Sequence, residues 1–266
     1  MKCKICKKEA DPLFNALVLG KYDVKYYSCI HCGFVFTEEP YWLNEAYKNA
    51  INLNDTGLMQ RNLHFSRVLS TVLYFLFDAK AKYLDYAGGY GIFTRLMRDN
   101  GFDFYWSDPY CENILVKGFE CENANTKSFL LLSAFEVFEH LVDPLESIEK
   151  MFKIADNIVF STELVPTPTP GKNDWWYYSF EHGQHVAFYK PETLEFIARR
   201  FNVNFYSASG IHIFSKRKIN KTLLKIVTAT GRYGLPILIR RRLKSKVWYD
   251  YLYLKKLMDD DLKKHR

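Results

Sequence analysis

The 266 residues predict an α/β protein: an open sheet flanked by helices, with a small cysteine module before it and a basic helical tail after it. Three observations carry that expectation. Short apolar, β-rich runs alternate with helical patterns between residues 82 and 215. A glycine-rich turn, Ala87-Gly88-Gly89-Tyr90-Gly91, joins the first of those runs to a helix. Four of the six cysteines are gathered before residue 33, ahead of the alternating region. The expected organisation is 1–40 for the module, 41–215 for the body and 216–266 for the tail.

The module rests on Cys3-x-x-Cys6 and Cys29-x-x-Cys32. Each such turn aims two thiolates at one point, and two turns complete a tetrahedron that suits zinc. The alternatives are two disulfides, which a cytosolic chain disfavours, and substitution of one thiolate by His31. Four protein ligands close the site, so the metal expected at Cys3, Cys6, Cys29 and Cys32 is structural. Cys111 and Cys121 lie in the body and read as ordinary half-buried thiols.

Residues 41–77 read as helical, with Phe65, Val68, Leu69, Val72 and Leu73 at helical spacing. A strand follows over Lys82–Asp85, then the glycine turn, then a helix starting near Phe93. The turn fails the dinucleotide pattern at its third glycine position, where Thr94 stands. Asp85 at the strand end would repel a pyrophosphate and suits a cationic ligand. A second strand, Phe102–Ser107, ends at Asp108-Pro109. Residues 128–134 predict a further strand, which leaves through Phe135-Glu136-Val137-Phe138-Glu139-His140-Leu141-Val142-Asp143-Pro144. Asn157–Thr162 predicts the next strand. Lys190–Arg199 is a helix with Pro191 in its first turn, and Val203–Tyr206 with Ile211–Phe214 is a terminal antiparallel pair.

Charge excludes some functions. Residues 216–266 hold 16 Lys/Arg and 4 Asp/Glu, whereas residues 1–215 hold 21 and 26. The body is mildly acidic, which disfavours a nucleic-acid substrate. The tail's basic, partly apolar runs fit contact with an anionic membrane surface, an anionic substrate, or a solvated packing helix. No apolar stretch is long enough to span a bilayer, and no apolar signal core follows Met1, so a cytoplasmic protein is expected.

Asp85-x-Ala87-x-Gly89-x-Gly91 resembles the first motif of class I S-adenosylmethionine-dependent methyltransferases, acid-x-Gly-x-Gly-x-Gly, with Ala87 in place of the first glycine. Glu139-His140-Leu141-x-Asp143-Pro144 resembles the strand-four exit of the small-molecule members. The resemblance covers roughly residues 41–215 and implies a Rossmann-like sheet of seven strands. It implies a cofactor, S-adenosylmethionine, held by Asp85, Ala87, Gly88, Gly89, Gly91, Asp108, Pro109 and Phe135, with Asp108 on the ribose hydroxyls.

The acceptor should meet the long loop 166–186, which carries Trp175, Trp176, Tyr177 and Tyr178 and then Glu181, His182 and His185. The four aromatics read equally as a platform for an acceptor ring or as lid packing. Methyl transfer to a hydroxyl or carbon acid needs a base, and a histidine titrates in the right range. His185 is the first candidate, then His182, with Glu181 and His140 as further candidates. Sugar methyltransferases that carry a four-cysteine zinc module are similar in this loop, so the acceptor class expected is a sugar or nucleotide-sugar. The competing readings are a tRNA or other nucleic-acid methyltransferase, a non-catalytic adaptor that keeps the fold, and, more distantly, a dehydrogenase.

Overall fold

A computed structural model describes residues 1–48, 55–231 and 233–264. They form two compact units: residues 1–55 with 131–218, and residues 56–130 with 219–266. In chain order the elements are β1 (Asp11–Val18), β2 (Tyr22–Ser28), β3 (Val35–Thr37), α1 (Leu43–Ala46), α2 (Leu58–Leu76), β4 (Lys82–Tyr86), α3 (Ile92–Asp99) and β5 (Asp103–Ser107). They continue with β6 (Leu131–Ala134), α4 (Pro144–Ile154), β7 (Asn157–Phe160), β8 (Ala187–Phe188), α5 (Pro191–Arg200), β9 (Asn204–Ala208) and β10 (Ile211–Ser215). Three helices close the chain: α6 (Lys221–Thr230), α7 (Leu235–Leu243) and α8 (Val247–Lys264).

The α/β part of the chain holds six strands among the described residues, in the order β6-β7-β10-β9 within the first unit and β5-β4 within the second. Seven were expected; the described residues give six. Beyond β5 only a single parallel bridge forms, Trp106 to Glu120, before the chain turns into a short 3-10 helix at Cys121–Ala124. Phe119 and Val116 fold in against Trp106, which ends the extended run.

In the first unit, β6 and β7 are parallel, and β10 runs antiparallel to both β7 and β9. β6 and β7 are buried at every position, as parallel strands covered on both faces must be. α4 and α5 each open with proline at the first turn, where the missing N–H costs nothing. The cysteine segment does not stand apart. β1, β2 and β3 form an antiparallel sheet to which the two-residue β8 adds as a fourth strand. The Thr193 hydroxyl of α5 donates to the Cys32 carbonyl at 2.6 Å, inside the same unit.

In the second unit, β4 and β5 are parallel. α2 packs on α3, α6 and α7 through Phe65, Val68, Leu69, Val72 and Leu73. Burying each such side chain contributes about 1.5–3 kcal/mol. The helical expectation over 41–77 divides: α1 is one turn, α2 begins at Leu58, and 49–54 lie outside the described residues. Gly231 lets α6 end against α2, since a Cβ there would meet the Thr71 hydroxyl at 2.8 Å. α8 is fixed by Asp250, whose carboxylate accepts two bonds from Arg98, at 2.8 Å from Nε and 2.7 Å from Nη2, with both side chains almost wholly buried. Arg98 also lies over the Phe119 ring at 3.7 Å. The tail is therefore packed helix, which the absence of a sheet pattern after residue 215 anticipates. Among the described residues no helix is long and apolar enough to cross a membrane.

Candidate functional site

The glycine turn belongs to the second unit. β4 ends at Tyr86; Ala87 and Gly89 then take left-handed φ of 55° and 54°, and Gly91, at φ 86°, caps α3. A side chain at Gly91 would meet Val116 at 2.7 Å, and one at Gly88 would meet the Asp85 carboxylate at 2.7 Å and Trp106 at 2.8 Å. Glycine at these two places is demanded by the turn's own packing. Asp85 is buried, and its Oδ2 accepts from the Thr94 hydroxyl at 2.9 Å, which ties strand end to helix. Asp108 is half-buried at the end of β5. Its Oδ2 accepts from the Gly89 N–H at 2.9 Å, and its Oδ1 accepts from the N–H groups of Tyr110 at 2.7 Å and Cys111 at 2.9 Å. Pro109 is exposed beside it. The Trp106 indole N–H donates to the Gly89 carbonyl at 2.9 Å. Neither 85–91 nor 107–112 contains Lys or Arg. That donor set fits a ribose diol and a cationic group, and does not fit a pyrophosphate.

The histidine cluster belongs to the first unit. Phe135 is half-buried just past β6, and Glu136 follows at φ 54° with its Oε1 accepting from the Ser161 hydroxyl at 2.6 Å. A 3-10 turn over Phe138–His140 then presents Glu139 and His140. The loop carrying His185 is strapped to that turn: the Val186 N–H donates to the Glu139 carbonyl at 2.8 Å, and the Tyr189 hydroxyl donates to the Phe138 carbonyl at 2.9 Å. Gln184 reaches the Ala46 carbonyl at 2.8 Å, and the Trp42 indole reaches the Gly183 carbonyl at 2.8 Å.

The rings of His140 and His185 lie edge to face with centroids 5.0 Å apart. His185 Nδ1 is 2.7 Å from the Tyr177 carbonyl, so Nδ1 must carry the proton and Nε2 is left as the acceptor. His140 is fixed the same way, with Nδ1 3.1 Å from the Gln184 carbonyl and 3.1 Å from the Tyr47 hydroxyl. Burial lowers the pKa of both, to about 3 for His140, so both are neutral at pH 7. Glu139 is fully buried beside the Tyr177 hydroxyl; burial first, then Glu139 and Glu136, push that hydroxyl's pKa up. One ligand atom from each of Glu139, His140 and His185 lies within 4.8 Å of the others, a set able to offer itself to a cation.

His182 and Glu181 are not among those three, though both act electrostatically on His185. They face each other at 3.7 Å, with Glu181 largely exposed. Of the four aromatics, Tyr177 and Tyr178 are buried, Tyr177 with its ring 4.7 Å from that of His185. Tyr178 stacks on Phe180, meets Phe14 edge-on and donates to the Pro170 carbonyl. Trp176 alone is thrown outward, 74% exposed. Sequence reasoning missed Tyr47 and the part Tyr177 plays through its carbonyl; neither lies in a motif.

The four cysteines converge. Cys3 and Cys32 Sγ are 3.6 Å apart and Cys6 and Cys29 Sγ 3.4 Å, and all four atoms lie within 4.8 Å of one another. Zinc–sulfur bonds of about 2.3 Å at tetrahedral angles need sulfurs about 3.8 Å apart, so the quartet fits zinc. The hydrogen bond between Cys3 and Cys32 lowers the first thiol and raises the second. All six cysteines are free, so the disulfide alternative fails, and His31 is exposed outside the quartet.

A protein-family model described as "Methyltransferase domain" matches residues 59–208. The chain belongs to that family. Solved structures similar to it include TnmH, at 12% identity and TM-score 0.47, with 66% of this chain and 60% of that one covered. An O-methyltransferase family 2 protein from Planctomyces limnophilus DSM 3776, in complex with apigenin, is 12% identical at TM-score 0.43, with 65% and 66% covered. CalO1, a methyltransferase in calicheamicin biosynthesis with SAH bound, is 12% identical at TM-score 0.43, with 66% and 60% covered. The chain thus spans 60% to 66% of the length of these three structures. No curated protein matches it.

Proposed function

We propose that this chain is an S-adenosylmethionine-dependent methyltransferase acting on a small-molecule acceptor, a sugar or nucleotide-sugar. The observation that carries the reading is the Asp108 carboxylate clasped to the Gly89 N–H at the lip of a glycine turn that holds no cation. Bound S-adenosylmethionine would supply an electrophilic methyl group. Asp108 turns its carboxylate to the ribose diol, with Oδ2 keeping a lone pair beyond the one that takes the Gly89 N–H, and Asp85 contributes its charge while Thr94 holds it in register. Ala87, Gly88, Gly89, Gly91, Pro109 and Phe135 complete the cofactor-binding set.

His185 is the base. Its Nδ1–H is committed to the Tyr177 carbonyl, so Nε2 is a fixed acceptor that stays neutral at physiological pH. It can remove a proton from an acceptor hydroxyl or acidic carbon as the bond to methyl forms. His140 supports it edge-on, while His182 and Glu181 serve the surrounding loop. The cysteine quartet holds a structural zinc.

Incubation with S-adenosylmethionine and a panel of nucleotide-sugars, with products located by mass spectrometry, tests the reading. Methylation of a member of the panel, lost in His185→Gln, is expected. Methylation of tRNA alone would contradict the acceptor class.

A further inference from the structure

α6, α7 and α8 leave much apolar surface in water. Ile237 is 60% exposed and Trp248 68%, and Leu238, Tyr249, Tyr251 and Leu252 are exposed with them. Monomeric proteins seldom display such residues in groups, and grouped exposure marks an interaction surface. Loose packing does not explain it. α7 buries Pro236 and Ile239. α8 buries Asp250 against Arg98, while Leu254 fills the space over Gly118, where a Cβ would lie 2.5 Å from it. Each helix has a docked face and, opposite it, a bare one. On α8 the bare face runs Trp248, Tyr251, Leu252, Lys255, one helical turn after another, with Trp248 stacked on Tyr251 at 5.2 Å.

The same segment is strongly cationic. Residues 235–256 carry seven Lys/Arg against the single acid Asp250, which Arg98 and Arg95 already occupy. Arg240, Arg241 and Lys244 are exposed next to the apolar positions. Two copies meeting through this face would oppose these cations, which disfavours self-association. A nucleic acid would neutralise the cations and leave Ile237, Leu238 and Leu252 without apolar contact. An anionic bilayer satisfies both halves: the headgroups take the cations, the acyl boundary takes the aliphatics, and Trp and Tyr lie at the interface between them.

We infer that α7 and the first half of α8 form a docking face for an anionic phospholipid surface, which holds the enzyme at a membrane without crossing it. The inference is independent of the acceptor's identity.

The test is co-sedimentation of the full chain with phosphatidylcholine vesicles with or without phosphatidylglycerol, at low and high salt. The expected result is salt-sensitive binding to the anionic vesicles only, weakened about tenfold or more by Arg240→Glu with Arg241→Glu. Ile237→Ser with Leu238→Ser should weaken it independently; both pairs are exposed, and unchanged thermal melting would show that the fold survives. Quenching of tryptophan emission by brominated lipid should be lost in Trp248→Phe. Failure to bind anionic vesicles, indifference to both pairs of substitutions, or a dimer that dissociates in the Ile237→Ser, Leu238→Ser variant would overturn the inference. So would binding of RNA with no binding of vesicles.

Discussion

His140 and His185 meet edge to face at 5.0 Å, each with its Nδ1 proton donated to a backbone carbonyl, Gln184 for one and Tyr177 for the other. Two half-buried imidazoles fixed in this way present two Nε2 acceptors and no charge. Replacing His185 by Gln removes the titratable acceptor. It should lower kcat by about 10²–10⁴-fold with cofactor affinity unchanged, measured by steady-state kinetics and calorimetry on the same preparation. Because burial lowers the His185 pKa, the acid limb of the rate profile should fall below the free histidine value of about 6.5.

Stability should follow two histidines, His140 and, in β10, His212. His140 has its pKa lowered to about 3 and His212 to about 4, both mainly by burial. The unfolded chain binds these protons near pH 6.5 and the folded chain does not, so stability falls as pH drops from about 6.5 toward those folded values. Above pH 6.5 the two states bind equally and the contribution is flat. Urea melts across pH 4–7 should show a loss of up to about 1.4 kcal/mol per pH unit per histidine. A flat response would contradict the buried placement.

The cysteine quartet predicts one tightly held zinc, absent after Cys3→Ser or Cys32→Ser. Because its sheet also contains β8, which is two residues beyond His185, loss of the metal should loosen the histidine loop as well as the N-terminus. Hydrogen exchange in 183–189, with and without a chelator, measures this.

Asp250→Ala would leave Arg98 charged and buried with Asp103 as its remaining acid partner. A destabilisation of about 3–5 kcal/mol is expected, with α8 released first, read by denaturant melts and proteolysis between 243 and 250.

Features that local patterns encode were legible in the sequence: the paired cysteines, the glycine turn, the strands before and after it, the proline-led α5, and the terminal antiparallel pair. What was hidden depends on contacts far apart in sequence. Gln184 reaches Ala46, and Tyr47 reaches His140, across 138 and 93 positions, with no period or motif to announce either. β8 is too short to leave an alternation, and it forms because β3 offers an open edge. The seventh strand was expected by resemblance, but Phe119 turns inward and only the Trp106–Glu120 bridge remains. Tyr177 and Tyr178 read equally as platform or packing because an aromatic run alone does not say which ring points inward.

The cofactor clasp is tested most directly by calorimetric titration of the zinc-loaded chain with S-adenosylmethionine. One molecule should bind per chain. Asp108→Ala should weaken binding at least about tenfold, the equivalent of about 1.4 kcal/mol, while His185→Gln should leave it intact. No heat from the unaltered protein, or full affinity without the Asp108 carboxylate, would contradict the account.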